Sequence, residues 1–81
     1  QKIRMMSGFT LRQKLSRYIL ENRDDSLEFK LTYNREELAD YLGSTRPSVS
    51  RELSKMQEEG LISIERSKIK ILDLEELKNY S

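Results

Sequence analysis

Apolar residues recur along this chain in two rhythms. Over residues 10–22, Leu11, Leu15, Tyr18 and Ile19 return every three or four positions, the spacing that lays a single stripe along a helix. Thr10 stands ahead of the stripe as an N-cap, and Asp24-Asp25-Ser26 breaks the pattern behind it. Over residues 27–32 the period shortens to two. Leu27, Phe29 and Leu31 alternate with Glu28 and Lys30, which predicts a short, half-buried strand. Thr32 and Tyr33 carry it toward a turn at Asn34.

The helical period then returns. Asn34 caps a helix predicted over 35–42, with Glu37 three residues on completing a capping-box pair. Glu36 and Glu37 suit the positive N-terminal end of that helix. Leu38, Ala39, Tyr41 and Leu42 supply its apolar positions, and Gly43 ends it. Thr45 caps the next helix, predicted over 46–59, with Pro47 in its first turn, where a missing N–H costs nothing. Val49, Leu53 and Met56 form its buried stripe, and Gly60 closes it. Alternation resumes in two strands, 61–65 and 68–72, separated only by Arg66-Ser67, a hairpin with a tight turn. Asp73 caps a closing helix over 74–80 that turns Leu74 and Leu77 inward. The predicted order is helix, strand, helix, helix, hairpin, helix: an α+β fold, mostly α.

Composition narrows what such a fold does. Its 81 residues fit one domain. With no cysteine there is no disulfide, thiolate metal site or cysteine-held iron–sulfur cluster, and with no histidine the commonest general base and metal ligand are missing too. An enzyme, and in particular a small hydrolase, is disfavoured, and no cofactor is expected in this segment. Asp24-Asp25 and Glu58-Glu59 are read as solvated charge, because adjacent residues on a helix point apart. No apolar run approaches the roughly 18 residues of a membrane span. Residues 1–6 lead into no apolar signal region, so a cytoplasmic, non-membrane protein is expected. Gln1 in place of an initiator Met implies a cut-out domain or a trimmed chain.

The net charge of +1 conceals segregation. Lys2, Arg4, Arg12, Lys14, Arg17 and Arg23 against Glu21 give residues 1–23 a charge of +5. Residues 24–43 carry −4, residues 44–72 carry +2 and residues 73–81 carry −2. Such a distribution permits a basic face without a strongly basic chain.

Two helices joined by a few residues with glycine at the turn make a helix-turn-helix. Ala39 is small where the helices cross, Gly43 falls at the turn four residues later, and Val49 packs the second helix back on the first. Arg46, Ser48, Arg51 and Lys55 are left on faces away from the core. Such a helix start, with free backbone N–H groups, suits phosphates and base edges. The hairpin adds a small basic wing at Arg66, Ser67 and Lys68. Tyr18, Phe29, Tyr33 and Tyr41 are read as core or rim residues, since they are not interleaved with cations on one strand as single-strand binders require.

The runs Arg35-Glu36-Glu37-Leu38-Ala39-Asp40-Tyr41-Leu42-Gly43, Ser44-Thr45-Arg46-Pro47-Ser48-Val49-Ser50-Arg51-Glu52-Leu53 and Glu59-Gly60-Leu61-Ile62 resemble the C-terminal domain of the Crp/Fnr superfamily of bacterial transcription regulators. The likeness covers about residues 9–77. It implies a winged helix-turn-helix that puts its second helix in the major groove. It also implies a separate sensor domain, which this segment does not contain, so the effector is unknown. By resemblance Arg46 and Arg51 are base-contacting, with Ser48 a neighbouring polar contact, and the hairpin at Arg66, Ser67 and Lys68 meets the DNA backbone. Arg35, Thr45, Ser50 and Lys55 are added as phosphate contacts. The implied partners are a pseudo-palindromic double-stranded operator, a second copy of the parent chain and possible contact with RNA polymerase. Pro47 departs from the family: many members carry Glu there, which reads a cytosine amino group, so the familiar half-sites do not transfer. Glu52 stands where an apolar residue often packs the helix, so either the helix is rotated or Leu53 carries the packing. The alternative reading is a winged helix used as a protein-contact module for dimerisation or polymerase docking.

Overall fold

The computed structural model describes residues 8–81. Lys2 and Arg4, counted in the basic N-terminal segment, lie outside the described residues. Helix α1 spans Leu11–Asn22 behind the Thr10 N-cap, whose Oγ1 accepts from the Gln13 N–H while Gln13 Oε1 accepts from the Thr10 N–H. Helix α2 spans Arg35–Leu42 and opens with the same reciprocal device between Asn34 and Glu37. Each box satisfies two N–H groups that the first helical turn leaves without partners.

Gly43 adopts a left-handed conformation, φ 70° and ψ 38°. That geometry lets the Ser44 N–H reach the Ala39 carbonyl at 2.8 Å and the Gly43 N–H reach Asp40 at 3.2 Å, a Schellman closure. Helix α3, Arg46–Glu58, begins three residues after Gly43, behind the Thr45 cap. It ends in the same way, through Gly60 at φ 79° with Leu61 N–H bonded to the Met56 carbonyl. The helix thus stops one residue short of the expected 46–59: Glu59 is its C-cap.

Strands β1 (Glu28–Lys30), β2 (Ile62–Glu65) and β3 (Lys68–Ile71) form an antiparallel sheet in the order β1-β3-β2, and helix α4 (Leu74–Tyr80) follows. Strand β1 is shorter than the expected 27–32. Leu27 sits at φ 65°, in the left-handed region that breaks an extended strand, and its backbone is tied to Asp24 and to Ile71. The wing strands, expected over 61–65 and 68–72, also contract. The Leu72 and Asp73 N–H groups both turn to the Leu61 carbonyl, which leaves Leu61 outside β2 and Leu72 outside β3. Leu72, next in the alternation after buried Ile71, is exposed, while Leu61 remains in the core.

The core gathers Leu15, Ile19, Leu38, Leu42, Val49, Leu53, Met56, Ile62, Ile69 and Leu77 from all four helices and the hairpin. Leu53 is 2% exposed, whereas Glu52 lies at the edge of the buried arc and pairs with Arg12 of α1, so apolar packing of α3 falls to Leu53. Tyr41, counted among the apolar positions of α2, is instead 57% exposed, because it lies well off the arc that Leu38, Ala39 and Leu42 bury. No described helix is long and apolar enough to cross a membrane.

Candidate nucleic-acid interface

Helix α3 and its Thr45 cap carry most of the predicted contacts. At about 100° per residue, Val49, Leu53 and Met56 define its buried arc. Arg51 lies nearly opposite that arc and Lys55 about 40° from Arg51. Arg46 occupies the first helical position, beside the free N–H groups of the first turn. Arg46, Arg51 and Lys55 are all exposed, and among the described residues none of the three makes an ion pair. Unpaired cations on the outward face of one helix form a site for anionic partners.

The hydroxyl residues of this helix start are less free. Thr45 Oγ1 accepts from the Ser48 N–H as the N-cap and donates to Ser48 Oγ at 2.9 Å. Its side chain therefore serves the helix first. Ser48 and Ser50 are half-buried. Arg35 is half-buried at the first position of α2, so it belongs to the helix that precedes the turn.

The wing brings a second cationic group. Arg66 and Ser67 join β2 to β3 in a two-residue turn, with Arg66 at φ 59°. Pairing sets Lys30 opposite Lys68 and Lys68 opposite Glu65. Lys30, Glu65, Arg66, Ser67 and Lys68 line a shallow depression there. Lys30 is thus a member that the linear pattern did not disclose, because its strand lies far away in sequence. Lys68 is partly engaged: its Nζ lies 3.0 Å from Glu28 Oε1, although the lysine remains 63% exposed.

Two further basic residues were invisible as site elements. Lys14 Nζ donates to the Leu42 carbonyl at 3.0 Å and so fastens α1 to the last turn of α2, next to Gly43. Arg12 reaches across to α3. Its Nε lies 2.6 Å from Glu52 Oε2, and its Nη1 and Nη2 lie 2.5 and 3.0 Å from the two oxygens of Glu59. This corrects the reading of Glu59 as merely solvated. The hydrogen bonds that Arg12 donates hold the Glu59 carboxyl below its ordinary range, and the same bonds lead the causes that raise the Arg12 guanidinium above its own. Arg12, Lys14 and Arg17 of the basic N-terminal segment are thus engaged within the chain, Arg17 through Glu21 at 3.3 Å.

The aromatic residues cluster instead of spreading. Tyr18 lies 5.9 Å from Phe29, 6.3 Å from Tyr33 and 5.7 Å from Tyr41, centroid to centroid. Tyr18 is half-buried, and burial, followed by its two tyrosine neighbours, raises its pKa.

A helix pair hinged on a left-handed glycine and followed by a β-hairpin defines a winged helix-turn-helix domain. The chain belongs to the Crp-like helix-turn-helix domain family, which it matches over residues 13–80. It is 45% identical over 53 residues to the transcriptional regulatory protein Btr of Bordetella pertussis, covering 65% of this chain and 22% of that protein. It is 35% identical over 74 residues to the transcriptional regulator LdrP of Thermus thermophilus, covering 84% of this chain and 38% of that one. Among solved structures, a CRP-family transcriptional regulator from Thermus thermophilus superposes with a TM-score of 0.77 at 30% identity, over 93% of this chain and 42% of that one. The relatives named are transcriptional regulators, and the chain spans well under half the length of each.

Proposed function

We propose that this chain is the sequence-specific, double-stranded DNA-binding output domain of a bacterial one-component transcription regulator, with α3 entering the major groove. The observation that carries the reading is the set of exposed cations on α3, without ion-pair partners among the described residues, on the second helix of a helix-turn-helix. Arg46 and Arg51 read base edges, with Ser48 as a polar neighbour. Lys55, Ser50, Thr45, Arg35 and the wing residues Arg66, Ser67 and Lys68 contact the backbone, which sets affinity and register but not sequence. Pro47 offers no acceptor to a cytosine amino group, so the operator differs from that of members with Glu there. The domain works in the cytoplasm, in a parent that dimerises and spans two half-sites about one helical turn apart. Alone it binds weakly, because nothing raises the effective concentration of the second half-site.

The test is duplex binding by the full-length protein as a function of salt. On an operator selected in vitro, log affinity falls linearly with log salt, by about 0.9 for each phosphate neutralised. Affinity that is absent, or flat in salt, rules the reading out. A second reading, a protein-contact module, is favoured by one observation. Tyr33 and Tyr41 lie 5.7 Å apart and are 36% and 57% exposed, an aromatic surface available to a partner. A chain used only in that way binds a protein partner and shows no steep salt dependence on DNA.

A further inference from the structure

Arg12 is one of the best-anchored cations of the domain, yet it lies outside the DNA-facing set. Its side chain is only 15% exposed. It binds Glu52 through Nε and both oxygens of Glu59 through Nη1 and Nη2. Its Nη1 also lies 3.3 Å from Tyr80 Oη, and its guanidinium carbon lies 5.1 Å from the Tyr80 ring centroid. One planar group thereby joins α1, α3 and α4. A lysine has no comparable set of fixed donors.

Of the carboxylates so held, Glu52 lies on α3 and Glu59 is its C-cap, and both are neighbours of Lys55. Glu52 precedes Lys55 by three residues and Glu59 follows it by four, the spacings at which side chains meet on a helix surface. Glu59 already feels the Lys55 charge, which helps to lower its pKa. Even so, Lys55 makes no ion pair among the described residues. Both candidate partners are bonded to Arg12 of α1 instead.

We propose that Arg12 is a positioning residue for DNA binding: by holding Glu52 and Glu59 against α1, it keeps both carboxylates from pairing with Lys55 and leaves that ammonium free for a backbone phosphate. The proposal rests on the DNA-binding reading above. Without Arg12, two mobile carboxylates flank Lys55, compete with phosphate for it and repel the DNA backbone.

The experiment measures binding of the full-length protein to a fluorescent duplex carrying its selected operator, over a range of KCl concentrations. Arg12→Gln weakens binding roughly three- to tenfold near physiological salt and lowers the log–log salt slope by about one unit, as for the loss of one phosphate contact. Lys55→Gln does the same, and Arg12→Gln adds little to it. Placed on Glu52→Gln/Glu59→Gln, the Arg12→Gln change leaves affinity and slope where that double variant sets them. This last comparison decides the matter even if Arg12→Gln alone unfolds, since no unpaired carboxylate remains there. A purely structural Arg12 instead lowers affinity equally with and without the two carboxylates, and that result overturns the proposal. So does an Arg12→Gln protein that binds like wild type. Failure of the wild-type protein to bind duplex in a salt-dependent way is a separate outcome, and it removes the DNA-binding reading itself.

Discussion

The basic residues of α1 and those of α3 are alike in type and opposite in use. Arg12, Lys14 and Arg17 each have a partner inside the chain: two carboxylates, a helix-end carbonyl and a neighbouring Glu21. Arg46, Arg51 and Lys55 have none among the described residues. Segment charge ranks the first group higher, because residues 1–23 carry +5 and residues 44–72 only +2. The structure separates the described cations of α1 and α3 by whether each has a partner. An anionic partner responds to cations that are still unneutralised and free to reach it; carboxylates hold Arg12 and Arg17, and the Leu42 carbonyl ties down Lys14.

The contrast is sharpest at Arg51. Arg51→Ala is expected to relax base preference at one operator position by about 1–3 kcal/mol, while the thermal midpoint stays unchanged, as for an exposed residue without partners. Measurement on operators varied one base pair at a time checks this. A uniform loss across all bases breaks the assignment. For α1 the expectation inverts. Lys14→Ala leaves the Leu42 carbonyl without its donor and destabilises the fold by about 0.5–1.5 kcal/mol in a urea titration, with the salt slope of DNA binding unchanged. A fall in that slope means that Lys14 faces DNA after all.

Lys68 stands between the two groups, paired with Glu28 yet largely exposed. Lys68→Ala is expected to weaken all sequences alike and flatten the salt slope by about one unit. Its effect on folding stays within about 1 kcal/mol, the range of an exposed pair. The smallest effect is acid sensitivity. Asp24, which accepts from Ser26 Oγ at 2.7 Å and from the Glu28 N–H at 3.2 Å, and Glu59, held by Arg12, both have depressed pKa values. Their stabilisation is complete above the ordinary carboxylate pKa and is lost as pH falls through the folded value. Thermal midpoints are therefore flat from about pH 5 to 8 and decline below about pH 4. Asp24→Asn reduces that decline, and a decline already under way at pH 6 assigns it to other groups.

Much of the architecture is legible in the sequence because its determinants are local. The Thr10/Gln13 and Asn34/Glu37 boxes act across three residues. The stripes Val49, Leu53, Met56 and Leu15, Ile19 repeat within one or two turns. Strand limits at Leu27, Leu61 and Leu72 were not legible. They depend on which distant N–H or carbonyl each backbone group meets, and the alternation of side chains continues past the point where pairing stops. Tyr41 misleads for a similar reason: an apolar side chain at nearly helical spacing reads as core until the buried arc of its helix is known.

By itself, then, the sequence determined the helix and strand order, the caps, the glycine-closed turn and the positions of the cations on α3. These follow from contacts among near neighbours and from the fixed 3.6- and two-residue periods. The tertiary structure decided which of those cations remain free. The Arg12 pairs span 40 and 47 residues and the Lys14 bond spans 28. Such distances in sequence are closed only when hydrophobic burial packs α1 against α2 and α3, and no local pattern encodes the partner that waits there.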